Sequence, residues 1–325
     1  MNKKLLSLIG LLISVQIFAR SPRTVLIEHF TNTRCSICAS RNPAFYSTLS
    51  AYPQVLHIAF HPSLPYTQCF FSLQNPVEND ARTKYYGAYG STPKVVLNGK
   101  LLAGAVPLIN NTTIDTALNQ TSPVEISAIE ELQGADSVKV KVIVKATGAT
   151  ALSTVLLYAC VTENPINYNA ANGETVHHDV FRKALTDTTG NLFALPTIND
   201  STVFEFIYAF KSDWDPNNIN TIAFIQRNDT KEILNAAKSV RVGTNPSAIS
   251  EVFAEDFSIY PNPVKDELQI RNYKSQTTQL ITIFDLAGRK ISEQHSGQNR
   301  IDVSTLTVGV YFLKMNTVVR KFVKE

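Results

Sequence analysis

The sequence predicts a multidomain protein in which an α/β domain is followed by two regions built from β-strands. Strand-like and helix-like segments alternate over residues 23–120, whereas the later residues form short runs rich in Val, Ile, Tyr and Phe. Gly, Asn, Asp and Pro separate those later runs, as turns require. The length of 325 residues allows two or three domains, and a hydrophobic fraction of 44% lets each form a core.

Residues 1–20 have the pattern of a secretory signal peptide. A basic start containing Lys3 and Lys4 precedes an apolar run over residues 5–19, and small residues follow near Ser21. The run is too short for a membrane span, and no later segment reaches about 18 continuous apolar residues. We therefore expect an exported chain that is not transmembrane, in a compartment where a vicinal cysteine pair often rests as a disulfide.

The charge pattern argues against a nucleic-acid partner. The formal net charge is only +3, and no block of Lys and Arg with interleaved aromatic residues occurs. We also expect no cofactor.

The α/β region, residues 21–121, contains seven predicted elements in the order β-α-β-α-β-β-α. The second helix has a clear start, because Asn75 caps it, Pro76 occupies the first turn and Glu78 follows three residues after the cap. The turn at Asn98 and Gly99 predicts a hairpin. The predicted bounds are strand 23–30, a helix opening at residue 35, strand 55–60, helix 75–87, hairpin strands 94–97 and 100–103, and helix 112–118.

Cys35 and Cys38 lie where the first strand gives way to the first helix. A helix N-terminus offers free N–H groups and the positive end of the helix dipole, and both favour an anionic sulfur. Such positions lower a cysteine pKa from about 8.5 to roughly 3.5–7.5, and Arg34 adds a positive charge. The spacing lets Cys38 attack a mixed disulfide on Cys35. The pattern predicts thiol–disulfide chemistry, although it also fits a structural disulfide or half of a metal site.

Residues 23–120 resemble the thioredoxin superfamily at three positions. Cys35-x-x-Cys38 opens the first helix, Pro43 lies five residues further on, and Thr92-Pro93 precedes the hairpin. The resemblance implies that Cys35 is the attacking thiolate and Cys38 the resolving thiol. It further implies a cis-proline element, Thr92 and Pro93, that lies beside a Cys35–Cys38 disulfide and binds the partner chain.

The sequence also departs from that family. Ser36 and Ile37 between the cysteines are not one of its well-known pairs, and Arg34 replaces the aromatic residue often found there. The acidic proton acceptor beneath the disulfide has no clean counterpart. Glu28 and His29 are the candidates, and strand alternation points them to opposite faces.

The second region, residues 122–245, is predicted to be an antiparallel β-sandwich, since it has alternating strands and no helical crossovers. Residues 176–183, 213–214 and 222–227 resemble the outer-membrane-protein-28-related family of exported proteins. His177, His178 and Asp179 could bind a metal, but neighbours on a strand point in opposite directions.

The roles of the other two cysteines depend on their surroundings. Cys160 lies in a predicted strand and is expected to be a buried, inert thiol, whereas Cys69 lies in a predicted loop. Four cysteines allow three pairings, and a Cys69–Cys160 bridge would have to join two domains.

Residues 255–325 resemble a type A sorting domain of the type IX secretion system, after a linker at 246–254. The matching segments are 259–263, 268–270, 283–289 and 309–314. The resemblance implies passage across an outer membrane, a partner in the secretion machinery, and a final location at the cell surface or outside the cell.

Two functions from different classes follow. In the first, the chain exchanges disulfides with client protein thiols through Cys35 and Cys38. In the second, it is a cell-surface binding or structural protein in which Cys35–Cys38 only stabilises the fold. A variant of the second has the cysteine pair and a histidine, His57 or His61, holding copper or zinc.

Overall fold

The computed structural model describes residues 20–134, 136–242, 258–271, 280–285, 289–295, 300–315 and 318–325. The predicted linker at 246–254 and nearly all of the predicted signal peptide lie outside these ranges. The chain divides into two units, Met1–Arg241 and Val242–Glu325.

The described residues of the first unit form four helices and most of the strands. The helices are α1 (Ser36–Ser50), α2 (Phe70–Gln74), α3 (Pro76–Tyr85) and α4 (Asn111–Leu118). The strands are β1 (Ser21–Pro22), β2 (Leu26–Phe30), β3 (Leu56–Phe60), β4 (Lys94–Leu97), β5 (Lys100–Leu101), β6 (Thr121–Ser122), β7 (Val124–Gln133), β8 (Ser137–Ala146), β9 (Thr154–Glu163), β10 (Ile166–Asn167), β11 (Val176–His177), β12 (Val180–Ala184), β13 (Asn191–Ala194), β14 (Ser201–Ala209), β15 (Ile219–Gln226), β16 (Ile233–Lys238) and β17 (Val240–Val242).

Local signals account for the helix starts. The Asn75 side chain accepts the Glu78 N–H at the start of α3, as an N-cap residue does, and its Nδ2 donates to the Glu78 carboxylate at 2.6 Å. Asn110 caps α4 by accepting the Thr113 N–H. Helix α2 lies within the segment where the sequence predicts only a loop.

One nine-stranded sheet runs through the whole first unit. Its strand order is β16-β15-β9-β12-β3-β2-β4-β5, and β13 pairs with β9. Strands β2 and β3 are parallel, and β12 joins β3 in parallel where Val180 pairs with Ala59. The Ala59 N–H donates to the carbonyl of Asp179 at 2.8 Å at the same junction.

This sheet corrects the predicted fold class. The sequence predicts a thioredoxin-like α/β domain separate from an antiparallel β-sandwich domain, and that prediction is wrong. The described part of the chain is mostly β, and the parallel pairing of β12 with β3 places strands of both regions in one sheet. Local periodicity predicts that a strand exists but not its partner, and here the partners are over 100 residues apart in sequence.

A second sheet of the first unit, β14-β8-β7-β17, packs against the nine-stranded sheet. Alternate valines of β8 point inward and are fully buried, as a strand with one solvated face requires. They form a common core with alternate residues of β9, among them Val155 and Leu157, and with Ala223 and Ile225 of β15.

A buried ion pair connects β2, α3 and the later strands. The Arg82 guanidinium donates to Glu28 at 2.6 and 2.9 Å, and neither side chain is exposed. The same guanidinium donates to Gln226 at 3.2 Å and lies 4.5 Å from the ring centre of Tyr158. Burial alone would lower the pKa of Arg82, but the charge of Glu28 raises it above its ordinary value.

The turn between β4 and β5 also contacts the later strands. Gly99 has φ +87°, and a Cβ there would overlap the backbone carbonyl of Lys231. The neighbouring Asn98 carbonyl accepts the Ile233 N–H at 3.0 Å. Glycine therefore permits both the turn conformation and the close approach of two backbones.

In the second unit, the residues that the structure describes form two antiparallel sheets around one core. The strands are β18 (Ser258–Tyr260), β19 (Glu267–Arg271), β20 (Leu280–Asp285), β21 (Lys290–His295), β22 (Arg300–Asp302), β23 (Gly309–Met315) and β24 (Val318–Lys324). The sheet orders are β18-β19-β22 and β21-β20-β23-β24. Leu268 and Ile301 from the first sheet share a core with Ile283, Leu313 and Phe322 from the second.

Candidate functional site

The cysteine pair lies at the N-terminus of α1. Cys35 is the N-cap residue in an extended conformation, and its sulfur accepts the Cys38 N–H at 3.0 Å. The two cysteines form a disulfide with a Cα–Cα distance of 5.1 Å. The predicted disulfide is therefore present, and its first sulfur occupies the position where free helix N–H groups favour an anion.

Thr92 and Pro93 lie beside this disulfide. The Cys35 sulfur is 3.6 Å from the carbonyl oxygen of Thr92. The Thr92–Pro93 peptide bond is cis, and Pro93 is buried at the start of β4. Residues 58 positions apart in the sequence, Cys35 and Pro93, are thus brought to one place in the fold.

Both cysteines are inaccessible to solvent. Cys35 and Cys38 each have 0% exposure, whereas Ile37 between them is 49% exposed. Arg34 is exposed, and its Nε donates to the Gln68 carbonyl at 2.9 Å. A thiol from another protein cannot reach either sulfur in this conformation.

The two candidate proton acceptors have other partners. Glu28 is bound by Arg82 and also accepts the Tyr86 hydroxyl at 2.6 Å. His29 packs its ring against Phe45, with ring centres 4.5 Å apart, and burial holds its pKa well below the ordinary value. We therefore assign neither residue a role in proton transfer at the disulfide.

The histidines form no metal centre in the described part of the chain. No group of three or more His, Cys, Asp or Glu residues is arranged there to hold a metal ion. The His57 Nδ1 lies 3.1 Å from an Asp179 carboxylate oxygen, and the His61 ring packs on Phe71. His177 Nε2 lies 3.0 Å from the Tyr168 carbonyl oxygen.

Cys69 and Cys160 are both free and buried. Cys160 lies in β9, where burial raises the pKa of its thiol well above the ordinary value. Cys69 precedes α2, and its sulfur accepts the Thr33 N–H at 3.4 Å and the Thr33 hydroxyl at 3.3 Å. Cys69 and Cys160 are therefore not joined to each other, and Cys35–Cys38 is the disulfide among the described residues.

Sequence reasoning missed one residue that touches the cysteine loop from far along the chain. Asn172 donates from its side chain to the carbonyl of Cys35 at 3.2 Å. The only local signal is Asn172-Gly173, a dipeptide typical of turns. This dipeptide predicts a turn, but it does not predict that the turn contacts the cysteine loop.

Comparisons with known proteins identify an exported β-rich protein of the bacterial cell surface. Residues 79–246 match the model of the family "Outer membrane protein Omp28", about half of the chain, and the chain belongs to that family. Residues 258–325 match the "Secretion system C-terminal sorting domain", the domain of type IX secretion, which implies an interaction with the secretion machinery. The protein is therefore exported to the outer membrane or cell surface.

The chain is similar to two solved structures, and the TM-score of the first indicates a shared fold. HBP35 of Porphyromonas gingivalis is 16% identical, with 94% of this chain and 98% of that chain covered and a TM-score of 0.57. A domain of the outer membrane lipoprotein Omp28 from Porphyromonas gingivalis is 15% identical over 38% of this chain and 92% of that one, with a TM-score of 0.29. None of the curated proteins matches the chain.

No helix among the described residues is both long and apolar enough to span a membrane.

Proposed function

We propose that this cell-surface protein exchanges disulfides with client protein thiols through Cys35 and Cys38. The observation that carries the proposal is the position of the Cys35 sulfur at the N-cap of α1, where it accepts the Cys38 N–H at 3.0 Å. An ionised sulfur there receives a charge-assisted hydrogen bond. Thr92 and Pro93 border the same sulfur and belong to the proposed client-binding surface.

The proposed reaction starts from the disulfide. A client thiolate attacks the Cys35 sulfur, the Cys35–Cys38 bond breaks, and Cys38 leaves as a thiolate. A second client thiolate then attacks the client sulfur of the mixed disulfide, and Cys35 leaves. The client is oxidised to a disulfide, and the cysteine pair is reduced to two thiols, so that electrons balance over one turnover.

A cysteine-trapping experiment tests this proposal. The Cys38→Ser variant keeps a free Cys35 that attacks a client disulfide, and without Cys38 the mixed disulfide is not resolved. We expect it to accumulate a covalent complex with a peptide disulfide, seen by mass spectrometry, whereas Cys35→Ser should form none. Peptide mapping places the bond on Cys35 and separates it from reaction at Cys69 or Cys160.

The complete burial of both cysteines favours a second candidate function. With 0% exposure, Cys35–Cys38 would be a structural disulfide in a surface protein that binds its partner elsewhere. The trapping experiment separates the two functions. Equal and negligible complex formation by Cys38→Ser and Cys35→Ser would support the structural role.

A further inference from the structure

The β10–β11 hairpin leaves the nine-stranded sheet between β9 and β12 and ends in residues 170–174, here called the tip segment. Its turn is closed by two backbone bonds. Gly173 N–H donates to the Ala170 carbonyl at 2.9 Å, and Ala170 N–H donates to the Glu174 carbonyl at 2.8 Å. The tip segment is therefore a defined turn that presents Asn172 outward from the hairpin.

Asn172 binds the loop that carries the first cysteine. Its backbone N–H donates to the Thr33 carbonyl at 3.1 Å. Its side-chain Nδ2 lies 3.2 Å from both the Asn32 and the Cys35 carbonyl oxygens. Three successive parts of the cysteine loop are thus held by one residue that is 137 positions from Cys35 in the sequence.

Glu174 fixes Asn172 and ties the tip segment to α1. Its carboxylate accepts the Asn172 side chain at 2.6 Å and the Asn42 side chain at 2.7 Å. Asn42 lies on α1 with 1% exposure, so this bond reaches the buried side of the helix that begins at the disulfide.

An aromatic contact anchors the other side of the hairpin. The Tyr168 ring stacks on the Phe70 ring with centres 4.0 Å apart and an interplanar angle of 12°. The hairpin otherwise forms a sheet of its own with two residues in each strand. A two-stranded ribbon is only marginally stable alone, so the contacts of the tip segment, together with the packing of Tyr168 and His177 on Phe71, hold it in place.

We propose that the β10–β11 hairpin is a cap that controls access to the Cys35–Cys38 disulfide, an inference that rests on the proposed function of that pair. A thiolate must approach one of the two sulfurs to break the bond, and both cysteines have 0% exposure while the hairpin binds the cysteine loop. Release of Asn172 frees the carbonyl side of the cysteine loop while the main sheets stay intact. A client that competes for the Asn32, Thr33 and Cys35 carbonyls would open the cap as it binds.

The rate of disulfide reduction by dithiothreitol tests the cap on the full chain. One dithiothreitol molecule is oxidised to its cyclic disulfide as Cys35 and Cys38 become thiols, which alkylation and peptide mass spectrometry detect. The Asn172→Ala variant loses the side-chain bonds to the cysteine loop and to Glu174. We expect it to be reduced at least about tenfold faster than the parent chain, because the variant loses several of the hydrogen bonds that hold the hairpin in place.

The matched control is Asn262→Ala in the second unit, where an asparagine side chain also donates to a backbone carbonyl, that of Lys321, at 3.1 Å. Its reduction rate should equal that of the parent chain. The urea midpoint from Trp214 emission, measured for each variant, separates cap opening from global unfolding.

A reduction rate of Asn172→Ala equal to that of the parent chain would contradict the cap proposal. A faster rate that is fully explained by a lower urea midpoint of the variant would also contradict it. The trapping experiment tests the proposed client exchange separately. Faster reduction combined with no trapping by Cys38→Ser would leave the cap standing and contradict client exchange.

Discussion

Replacement of Arg82 by methionine is expected to lower the free energy of unfolding of the first unit by about 3–5 kcal/mol. The substitution leaves the Glu28 carboxylate buried without its cation, and Glu28 has no exposed surface through which water could solvate it. It also removes the cation that lies against Tyr158 and donates to Gln226. Urea titration followed by Trp214 emission measures the loss, because Trp214 is the only tryptophan in the chain and lies in the core of this unit.

Two variants control this experiment. Arg227→Met removes a surface ion pair whose Asp229 partner is 62% exposed, and it should cost far less stability than Arg82→Met, because water screens the pair. The double variant Glu28→Leu with Arg82→Met removes both charges, so its loss should be smaller than the sum of the single losses. A loss for Arg82→Met no larger than that of Arg227→Met would contradict a stabilising role for the buried pair.

Acidification is expected to destabilise the first unit steeply below pH 6.5. Burial, reinforced by His177, lowers the pKa of His61 to about 3, and burial, reinforced by His57, also holds the pKa of His29 well below its ordinary value. Both imidazoles therefore stay neutral in the folded chain, while the unfolded chain binds a proton at each below pH 6.5. Stability must rise with pH in that range, because the unfolded state holds more protons.

Below pH 6.5, His61 should contribute a slope that approaches about 1.4 kcal/mol per pH unit, or about 3 kcal/mol by pH 4.5. His29 should add a loss of stability in the same direction. The His61 contribution should level off near pH 3, where the folded state also takes up the proton.

Urea titrations at several pH values between 4.5 and 7.5 measure this dependence. The His61→Phe variant keeps an aromatic ring against Phe71 and should have a slope lower by about 1.4 kcal/mol per pH unit. His178 is only half-buried, so His178→Phe should change the slope less. A His61→Phe slope equal to that of the parent chain would show that His61 does not remain neutral in the folded state.

Much of the local structure could be predicted from the sequence. The start of α1 at the cysteines, the cap of α3 at Asn75 and the turn at Asn98 all depend on residues within four positions of one another. The cysteine pair is also a local feature, and its disulfide is expected because a vicinal cysteine pair in an exported chain often rests oxidised.

The predicted fold class was wrong because distant segments of the chain pair in one sheet. The parallel junction of β12 with β3 cannot be predicted from strand periodicity, because periodicity does not specify which edge a strand will join. Arg82 lies on a helix whose start the sequence predicts, but its complete burial between Glu28 and Gln226, 144 positions away, depends on tertiary contacts.

Three features of this protein can be recognised from contiguous residues of the sequence: a vicinal cysteine pair at a helix start, the family to which the chain belongs, and a sorting domain. The solvent exposure of the two cysteines, in contrast, follows only from the tertiary structure. Burial of a sulfur depends on every segment that packs around it, and the Asn172 turn, which binds the cysteine loop at the Cys35 carbonyl, comes from another part of the chain.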